Sequence, residues 1–152
     1  MKESILISSC LTGCSVRYDG RCKPLSKKVL SLLKNQFDLV AVCPEMLGGL
    51  PCPRVPSEIA SDSKVITAEG QDVSLFFIKG AHSTLNICKN YKIRTAVLKS
   101  KSPSCGLGII YDGSFTGRTT NGNGITAELL KQNGISILNE DQVHQLLAMK
   151  KE

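Results

Sequence analysis

Short apolar runs alternate along this chain with longer stretches in which apolar residues recur at helical spacing. The short runs fall at residues 5–8, 38–43, 94–99 and 135–138, and Gly, Pro or Ser residues lie close to their ends. Runs of this length and composition are typical of strands buried in a parallel sheet. We therefore predict four central strands, with a further short edge strand at residues 64–66.

Helical spacing predicts four helices between and after these strands. They cover residues 26–37, a long segment that starts with an N-cap at Asp72, residues 125–132, and a last helix that runs from a cap at Asp141 to about Met149. The apolar face expected for the long helix comprises Leu75, Ile78, Ala81, Leu85 and Cys88.

Two other segments are predicted to be less regular. Residues 44–59 contain four prolines and two adjacent glycines, which argue against regular structure, and a loop of this length in a small domain is usually functional. Residues 108–115 place Asp112 and Gly113 in a tight turn, which predicts a β-hairpin or an excursion from the sheet. The alternation of strands and helices predicts a single α/β domain over residues 1–152. We expect a three-layer sandwich whose mainly parallel, Rossmann-like sheet has helices on both faces.

Composition limits the classes of protein to consider. The chain has 152 residues, of which 41% are hydrophobic and 21% charged, as expected for a globular domain with its own core. It has no apolar stretch long enough for a membrane span, and its first residues do not resemble a secretory signal, so we expect a cytoplasmic protein with no membrane partner. The net charge of +6 favours anionic partners, but without a basic run or an aromatic array we expect no nucleic acid.

The seven cysteines carry the strongest chemical signal. Thiols stay reduced in the cytosol, so a cysteine-rich cytosolic protein is more often metal-binding or redox-active than disulfide-linked. Cys10, Cys43 and Cys105 each follow a predicted strand, and ligands of open α/β sheets bind beyond the carboxyl ends of the strands. Three converging thiolates form a metal site with one position open for substrate. The alternative is that these are unrelated cysteines that happen to lie near strand ends.

The other cysteines have plainer interpretations. Cys88 lies on the predicted apolar face of the long helix, where a free thiol acts as a small hydrophobic group. Cys14, Cys22 and Cys52 fall in polar loops, where they are either structural thiols or accessory ligands. The chain has no CxxC pair, which disfavours a zinc ribbon and thioredoxin chemistry.

Other polar residues lie close in sequence to the three strand-end cysteines. Glu45 follows Cys43 by two residues and is a candidate general acid or base. Ser100, Ser102 and Ser104 precede Cys105 and could bind a carbonyl group or a water molecule. The NGNG sequence at the start of the helix at 125–132 could offer backbone amides to an anion.

The strings around these residues resemble one known family. They are SSCLTG with RYDG, CPEMLGGLPCPR with PSEI, LKSKSPSCG, IYDGSFTG and NGNGITAELLKQNGI, which together span most of the chain in the right order. The chain is similar to the thiouracil desulfurases, which belong to a group of small bacterial proteins long classed as a domain of unknown function.

The resemblance implies a [4Fe-4S] cluster held by Cys10, Cys43 and Cys105, with the fourth iron free of protein ligands. It implies non-redox desulfuration of a thiolated pyrimidine such as 2-thiouracil, which gives uracil and sulfide. Glu45 would then activate water or move protons. Ser102 is favoured over Ser104 as the serine that positions substrate or relays a proton.

Two alternatives stay open at the level of sequence. One is a related sulfur-transfer or detoxification enzyme that acts on another small thiolated substrate. The other is a non-catalytic metal-binding module in which Cys14 or Cys52 supplies a fourth thiolate and closes the site. The sequence indicates neither the natural substrate nor the oligomeric state.

Overall fold

The computed structural model of the chain describes residues 2–149. The strands are β1 (Glu3–Ser8), β2 (Phe37–Val42), β3 (Ser57–Ile59), β4 (Val65–Thr67), β5 (Thr95–Val97), β6 (Ile109–Tyr111), β7 (Thr119–Asn121) and β8 (Ser136–Leu138). The helices are α1 (Lys27–Gln36), α2 (Pro44–Leu47), α3 (Ser74–Asn90), α4 (Ile125–Gln132) and α5 (Val143–Met149), and a 3-10 turn follows β1 at Ser9–Thr12.

A parallel four-stranded sheet in the order β2-β1-β5-β8 forms the centre of the fold. Strand β1 lies between β2 and β5, so that Ser8 pairs with Val42 and Ile7 with Val97. Because all four strands run in the same direction, the segments that follow them emerge at one edge of the sheet. The four central strands predicted from the apolar runs are confirmed, although β5 is shorter than the predicted residues 94–99.

Two hydrophobic layers cover the two faces of this sheet. Along β1, Leu6 packs into the cluster under α3 and α4, whereas Ile5 and Ile7 pack into the cluster under α1 and α5. This alternation follows from the two-residue period of a strand. Leu130 and Leu33 are fully buried representatives of the two helical layers. The predicted α/β sandwich, with a mainly parallel sheet and helices on both faces, is therefore confirmed.

Two antiparallel hairpins extend from the central sheet. Strands β3 and β4 pair with each other, and so do β6 and β7. The second hairpin was predicted, but its strands continue to Asn121 and the turn between them is longer than expected. Residues 44–59 were predicted to lack regular structure, which is wrong at both ends, because they form helix α2 and strand β3. Pro44 occupies the first position of α2, where a proline loses no helical hydrogen bond.

The predicted apolar face of the long helix is partly wrong. Leu75 is 80% exposed and Ile78 is 44% exposed, while Ala81, Leu85 and Cys88 are buried as predicted. The buried face is completed by Phe77, Gly80 and Thr84. The helix begins two residues after Asp72, whose carboxylate accepts a hydrogen bond from the Ser74 N–H at 2.9 Å. Within the described residues, no helix is long and apolar enough to cross a membrane.

Candidate active site

A cavity of about 590 Å³ opens at the carboxyl edge of the central sheet. Cys10 lies in the 3-10 turn after β1, Cys43 lies between β2 and α2, and Cys105 lies in the loop after β5. All three line the cavity, and Cys105 interacts electrostatically with both of the others. The structure thus brings together the three strand-end cysteines that the sequence singled out.

Burial keeps these three cysteines neutral when no metal is bound. It raises the pKa of Cys10 to about 11, partly offset by the nearby Lys99 ammonium, and raises the pKa of Cys105 to about 12. Burial also raises the pKa of Cys43. A thiol must lose its proton to bind a metal, so metal binding here would release protons and be favoured at higher pH.

Ser102 organises the loop that carries Cys105. Its Oγ accepts hydrogen bonds from the backbone N–H groups of Ser104 and Cys105, each at 3.0 Å. A serine hydroxyl has two acceptor positions and one donor, so the O–H of Ser102 remains to donate a hydrogen bond. Ser102 also lines the cavity, beside Cys105.

The start of helix α4 supports the same loop. The N–H groups of Ile125 and Thr126 donate to the carbonyl oxygens of Pro103 and Ser104, both at 2.9 Å. A Cβ at Gly124 would lie 2.5 Å from the Ser104 carbonyl, so only glycine allows this approach. The N–H groups of Gly122 and Gly124 in the NGNG sequence likewise donate to backbone carbonyl oxygens, those of Gly108 and Gly106, at 3.0 and 2.7 Å, so these two amides are not available to bind an anion as suggested.

Ser104 faces away from the cavity. It is 1% exposed, its hydroxyl lies 2.9 Å from that of Thr126, and it is not among the lining residues. This position does not agree with the substrate-binding role expected for Ser104 and indicates that its hydroxyl links the cysteine loop to α4. Ser100, by contrast, lines the cavity as expected.

Glu45 enters the cavity from the first turn of α2 and is paired with Arg54. The Arg54 Nε lies 2.6 Å from Glu45 Oε2, and both side chains are largely buried. A second guanidinium nitrogen donates to the carbonyl oxygens of Val16 and Pro51, each at 3.1 Å. Arg54 therefore holds the Glu45 carboxylate in place and joins α2 to the loop after Cys10.

Helix α2 is itself fixed by a close backbone contact with α3. A Cβ at Gly48 would lie 1.9 Å from the Phe76 carbonyl oxygen, and a Cβ at Gly80 would lie 1.9 Å from the Pro44 carbonyl oxygen. Both distances are too short for any side chain, so two glycines let the helix backbones touch. This contact sets the position of Glu45 and of the backbone that follows Cys43.

A cluster that sequence reasoning missed follows the fourth central strand. Glu140 accepts hydrogen bonds from the N–H and the hydroxyl of Ser100, at 2.8 and 3.2 Å, and its Oε2 lies 2.6 Å from Lys99 Nζ. Burial by itself disfavours the charged form, but the hydrogen bonds from Lys99 and Ser100 outweigh it and lower the pKa of Glu140. Glu140 does not line the cavity itself but holds Lys99 and Ser100, which do. The available signal was its position just after an apolar run, because the segments after the other three central strands contribute residues to the cavity.

The two cysteines considered as a fourth ligand do not line the cavity. The Cys52 thiol donates instead to the carbonyl oxygens of Ser15 and Arg17, at 3.1 and 3.3 Å. Cys14 is exposed, and its sulfur lies 3.6 Å from the Thr12 hydroxyl. The structure therefore gives the cavity three thiols and leaves further coordination open.

The donor set suits a cluster better than a single ion. Within residues 2–149, no group of three or more His, Cys, Asp or Glu side chains is placed to hold one metal ion. In a four-iron cluster each thiolate binds a different iron, so the thiolates need not meet at one point. Three free thiols around one cavity, two buried and the Cys43 thiol partly exposed, fit such a cluster with one iron left without a protein ligand.

Aromatic residues contribute to the outer rim of the cavity, alongside the exposed Lys23 and Lys101. Tyr18, Tyr111 and Phe115 line it, and the Arg17 guanidinium lies 5.7 Å from the centre of the Tyr18 ring. A lining that combines thiol, polar and aromatic groups suits a small planar ligand with a few polar atoms. Sequence reasoning missed this rim, because these aromatic residues lie far apart in the chain.

Fold and site together define a parallel α/β protein with three free thiols around one cavity at the carboxyl edge of its central sheet. The chain matches the 2-thiouracil desulfurase family over residues 5–142. It belongs to this family.

Two relatives extend over nearly the whole chain. The protein YbbK of Bacillus subtilis (strain 168) is 40% identical over an alignment that covers 94% of this chain and 99% of YbbK. The solved structure of the [4Fe-4S]-dependent thiouracil desulfidase TudS is 44% identical, covers 97% of each chain and superposes with a TM-score of 0.91. The similarity thus includes every segment that contributes to the cavity.

Proposed function

We propose that this protein removes sulfur from a thiolated pyrimidine such as 2-thiouracil and releases uracil and sulfide. The observation that carries the proposal is the convergence of Cys10, Cys43 and Cys105 on one cavity that also contains Glu45. Membership of the 2-thiouracil desulfurase family and the likeness to a thiouracil desulfidase support it. The reaction exchanges C=S and H₂O for C=O and H₂S, so it needs no oxidant or reductant.

Cys10, Cys43 and Cys105 would hold the [4Fe-4S] cluster. Their donor type suits iron-sulfur chemistry, and neither Cys14 nor Cys52 lines the cavity to close the fourth position. When bound, the cluster supplies a soft Lewis acid for the substrate sulfur.

The other cavity residues prepare the substrate and water for reaction. The Glu45 carboxylate, oriented by Arg54, accepts a proton from the attacking water and returns it to the departing sulfur. The Ser102 hydroxyl, whose acceptor positions are filled by backbone N–H groups, donates to a polar atom of the substrate. Ser100, held by Glu140, lies on the same wall and binds the substrate from the side.

We infer that the substrate is a small free base in the cytoplasm and that the catalytic unit is one desulfurase-like domain over residues 1–152. All seven cysteines are free, as expected for a reducing compartment. The cavity of about 590 Å³ suits a small ligand, and the sequence has no basic run or stacking array to indicate a nucleic-acid partner.

The test is sulfide release from 2-thiouracil by protein reconstituted anaerobically with iron and sulfide, with uracil measured in parallel. Equal amounts of uracil and sulfide support the proposal. Inactivity on 2-thiouracil but turnover of another thiolated compound in a panel would indicate a related desulfurase, and inactivity on the whole panel would refute the enzyme proposal.

A double variant tests the non-catalytic alternative. Cys14→Ser with Cys52→Ser should keep the iron content, the visible spectrum and the activity, because neither thiol lines the cavity. Loss of bound iron in this variant would instead support a four-thiolate, non-catalytic site.

A further inference from the structure

Phe115 lies at the rim of the cavity in an unusual backbone conformation. Its φ is 59°, in the left-handed region that a bulky residue rarely adopts, and its side chain is 37% exposed while lining the cavity. A glycine would fit this turn with less strain. An aromatic side chain therefore occupies a rim position whose backbone conformation favours glycine.

Contacts with β3 keep this turn in place over the cavity. Glu58 accepts hydrogen bonds from the N–H groups of Gly113 and Phe115, at 3.0 and 3.2 Å. A Cβ at Gly113 would lie 2.9 Å from the Ile59 carbonyl oxygen, so the turn packs directly against the end of β3. Within the turn, Asp112 accepts from the N–H and the hydroxyl of Ser114, at 2.9 and 2.5 Å.

The other two aromatic residues of the rim have different surroundings. The Arg17 guanidinium lies over the Tyr18 ring, and Tyr111 is part of strand β6. The cavity also holds thiols and polar side chains, so a planar heterocycle that meets these groups with its polar edge has a face that needs an apolar partner.

We propose that Phe115 is a specificity-determining residue, whose ring stacks on the pyrimidine of the substrate. This inference rests on the proposed function for the identity of the substrate. Stacking between a base and an aromatic side chain, measured by alanine substitution, is equivalent to about 5- to 140-fold in affinity. Loss of the ring should therefore raise KM for 2-thiouracil by an amount in this range.

Three variants separate stacking from structural support. Phe115→Gly removes the ring and relieves the backbone, and it keeps the N–H that donates to Glu58. It should raise KM about 5- to 140-fold, with no fall in thermal midpoint and unchanged iron content. Phe115→Tyr keeps a stacking ring and should retain a KM close to that of the wild type, whereas Phe115→Leu keeps apolar bulk without the ring and should resemble Phe115→Gly.

Fluorescence gives a readout that does not depend on turnover. The chain has no tryptophan, so Phe115→Trp introduces a single reporter at the rim. Its emission should change saturably when 2-thiouracil is mixed with the reconstituted protein, recorded in the first moments after mixing. Phe76→Trp is the matched control, because Phe76 is 43% exposed on α3 and does not line the cavity.

The outcomes distinguish this inference from the proposed function. An unchanged KM in Phe115→Gly would overturn the stacking role. So would KM values that follow the thermal midpoint of the variants and not the presence of an aromatic ring, or an emission response in Phe76→Trp equal to that in Phe115→Trp. A specific emission response without sulfide release from the wild type would support stacking and refute desulfuration. Sulfide release without the response would support desulfuration and refute stacking.

Discussion

The contact between α2 and α3 offers a sharp perturbation of the site. Gly80→Ala would place a methyl group 1.9 Å from the Pro44 carbonyl oxygen, whereas real contacts of this kind are at least 3.0 Å, so the two helices must move about 1 Å apart. Overpacking of a rigid contact costs about 1–3 kcal/mol or more. Alanine recovers about 1 kcal/mol of helix propensity. Because the methyl group meets backbone instead of a movable side chain, the cost should lie in the upper part of this range, about 2–3 kcal/mol. We therefore expect a net loss of about 1–2 kcal/mol, which lowers the thermal midpoint by about 2–8 °C.

The effect on activity should exceed the effect on stability. Pro44 directly follows Cys43 and precedes Glu45, and a displacement of about 1 Å at a reacting group can reduce the rate about 100-fold. The assay is sulfide release per bound cluster, together with the thermal midpoint. Lys79→Ala is the control, because this side chain is exposed on the same helix. Wild-type activity together with an unchanged or higher midpoint in Gly80→Ala would refute the reasoning.

Two further predictions concern groups beside the cysteines. Ser104→Ala should destabilise the fold by about 1–3 kcal/mol in urea unfolding, because it leaves the buried Thr126 hydroxyl unpaired. Turnover per bound cluster should persist, and loss of turnover without loss of stability would contradict the packing role. The pKa of Glu140 is lower in the folded protein than its ordinary value of 4.5. The Glu140 carboxylate therefore stabilises the fold above about pH 4.5, and this contribution is lost as the pH falls below that value. The difference in thermal midpoint between wild type and Glu140→Gln should shrink below about pH 4.5, and a difference that does not depend on pH would contradict the pairing with Lys99.

The central fold was predictable because each signal was local. The apolar runs of β1, β2, β5 and β8 identify strands buried on both faces, and the helical pattern at residues 125–132 agrees with α4. Three cysteines and Glu45 could be assigned to one site because the carboxyl ends of parallel strands share one edge.

The errors arose where tertiary contacts decide the structure. Helix α3 packs against α2 and α4, so Phe77 is buried and Leu75 is exposed. The four-residue spacing of Phe77, Ala81 and Leu85 was the sequence signal that could have identified the buried face. The short helix α2 depends on its close backbone contacts with α3, at Gly48 and at Gly80, which no local pattern encodes.

Pairs of charged residues could not be predicted for a related reason. Arg54 meets Glu45, and Lys99 meets Glu140, only after the sheet has formed. Sequence reasoning suggested a role for Ser104 by its closeness to Cys105, yet adjacent residues in a loop point in different directions. The direction of a side chain in a loop is set by its hydrogen bonds, as those of Ser102 and Ser104 illustrate.

If Cys10, Cys43 and Cys105 hold a four-iron cluster, removal of any one of these thiols should prevent the cluster from forming. The measurement is the iron content and visible absorbance of Cys10→Ala, Cys43→Ala and Cys105→Ala after anaerobic reconstitution, with Cys22→Ala as the control because Cys22 does not line the cavity. Each of the three variants should lose the four-iron absorbance, whereas Cys22→Ala should keep it. Unchanged absorbance in all three variants would contradict the account.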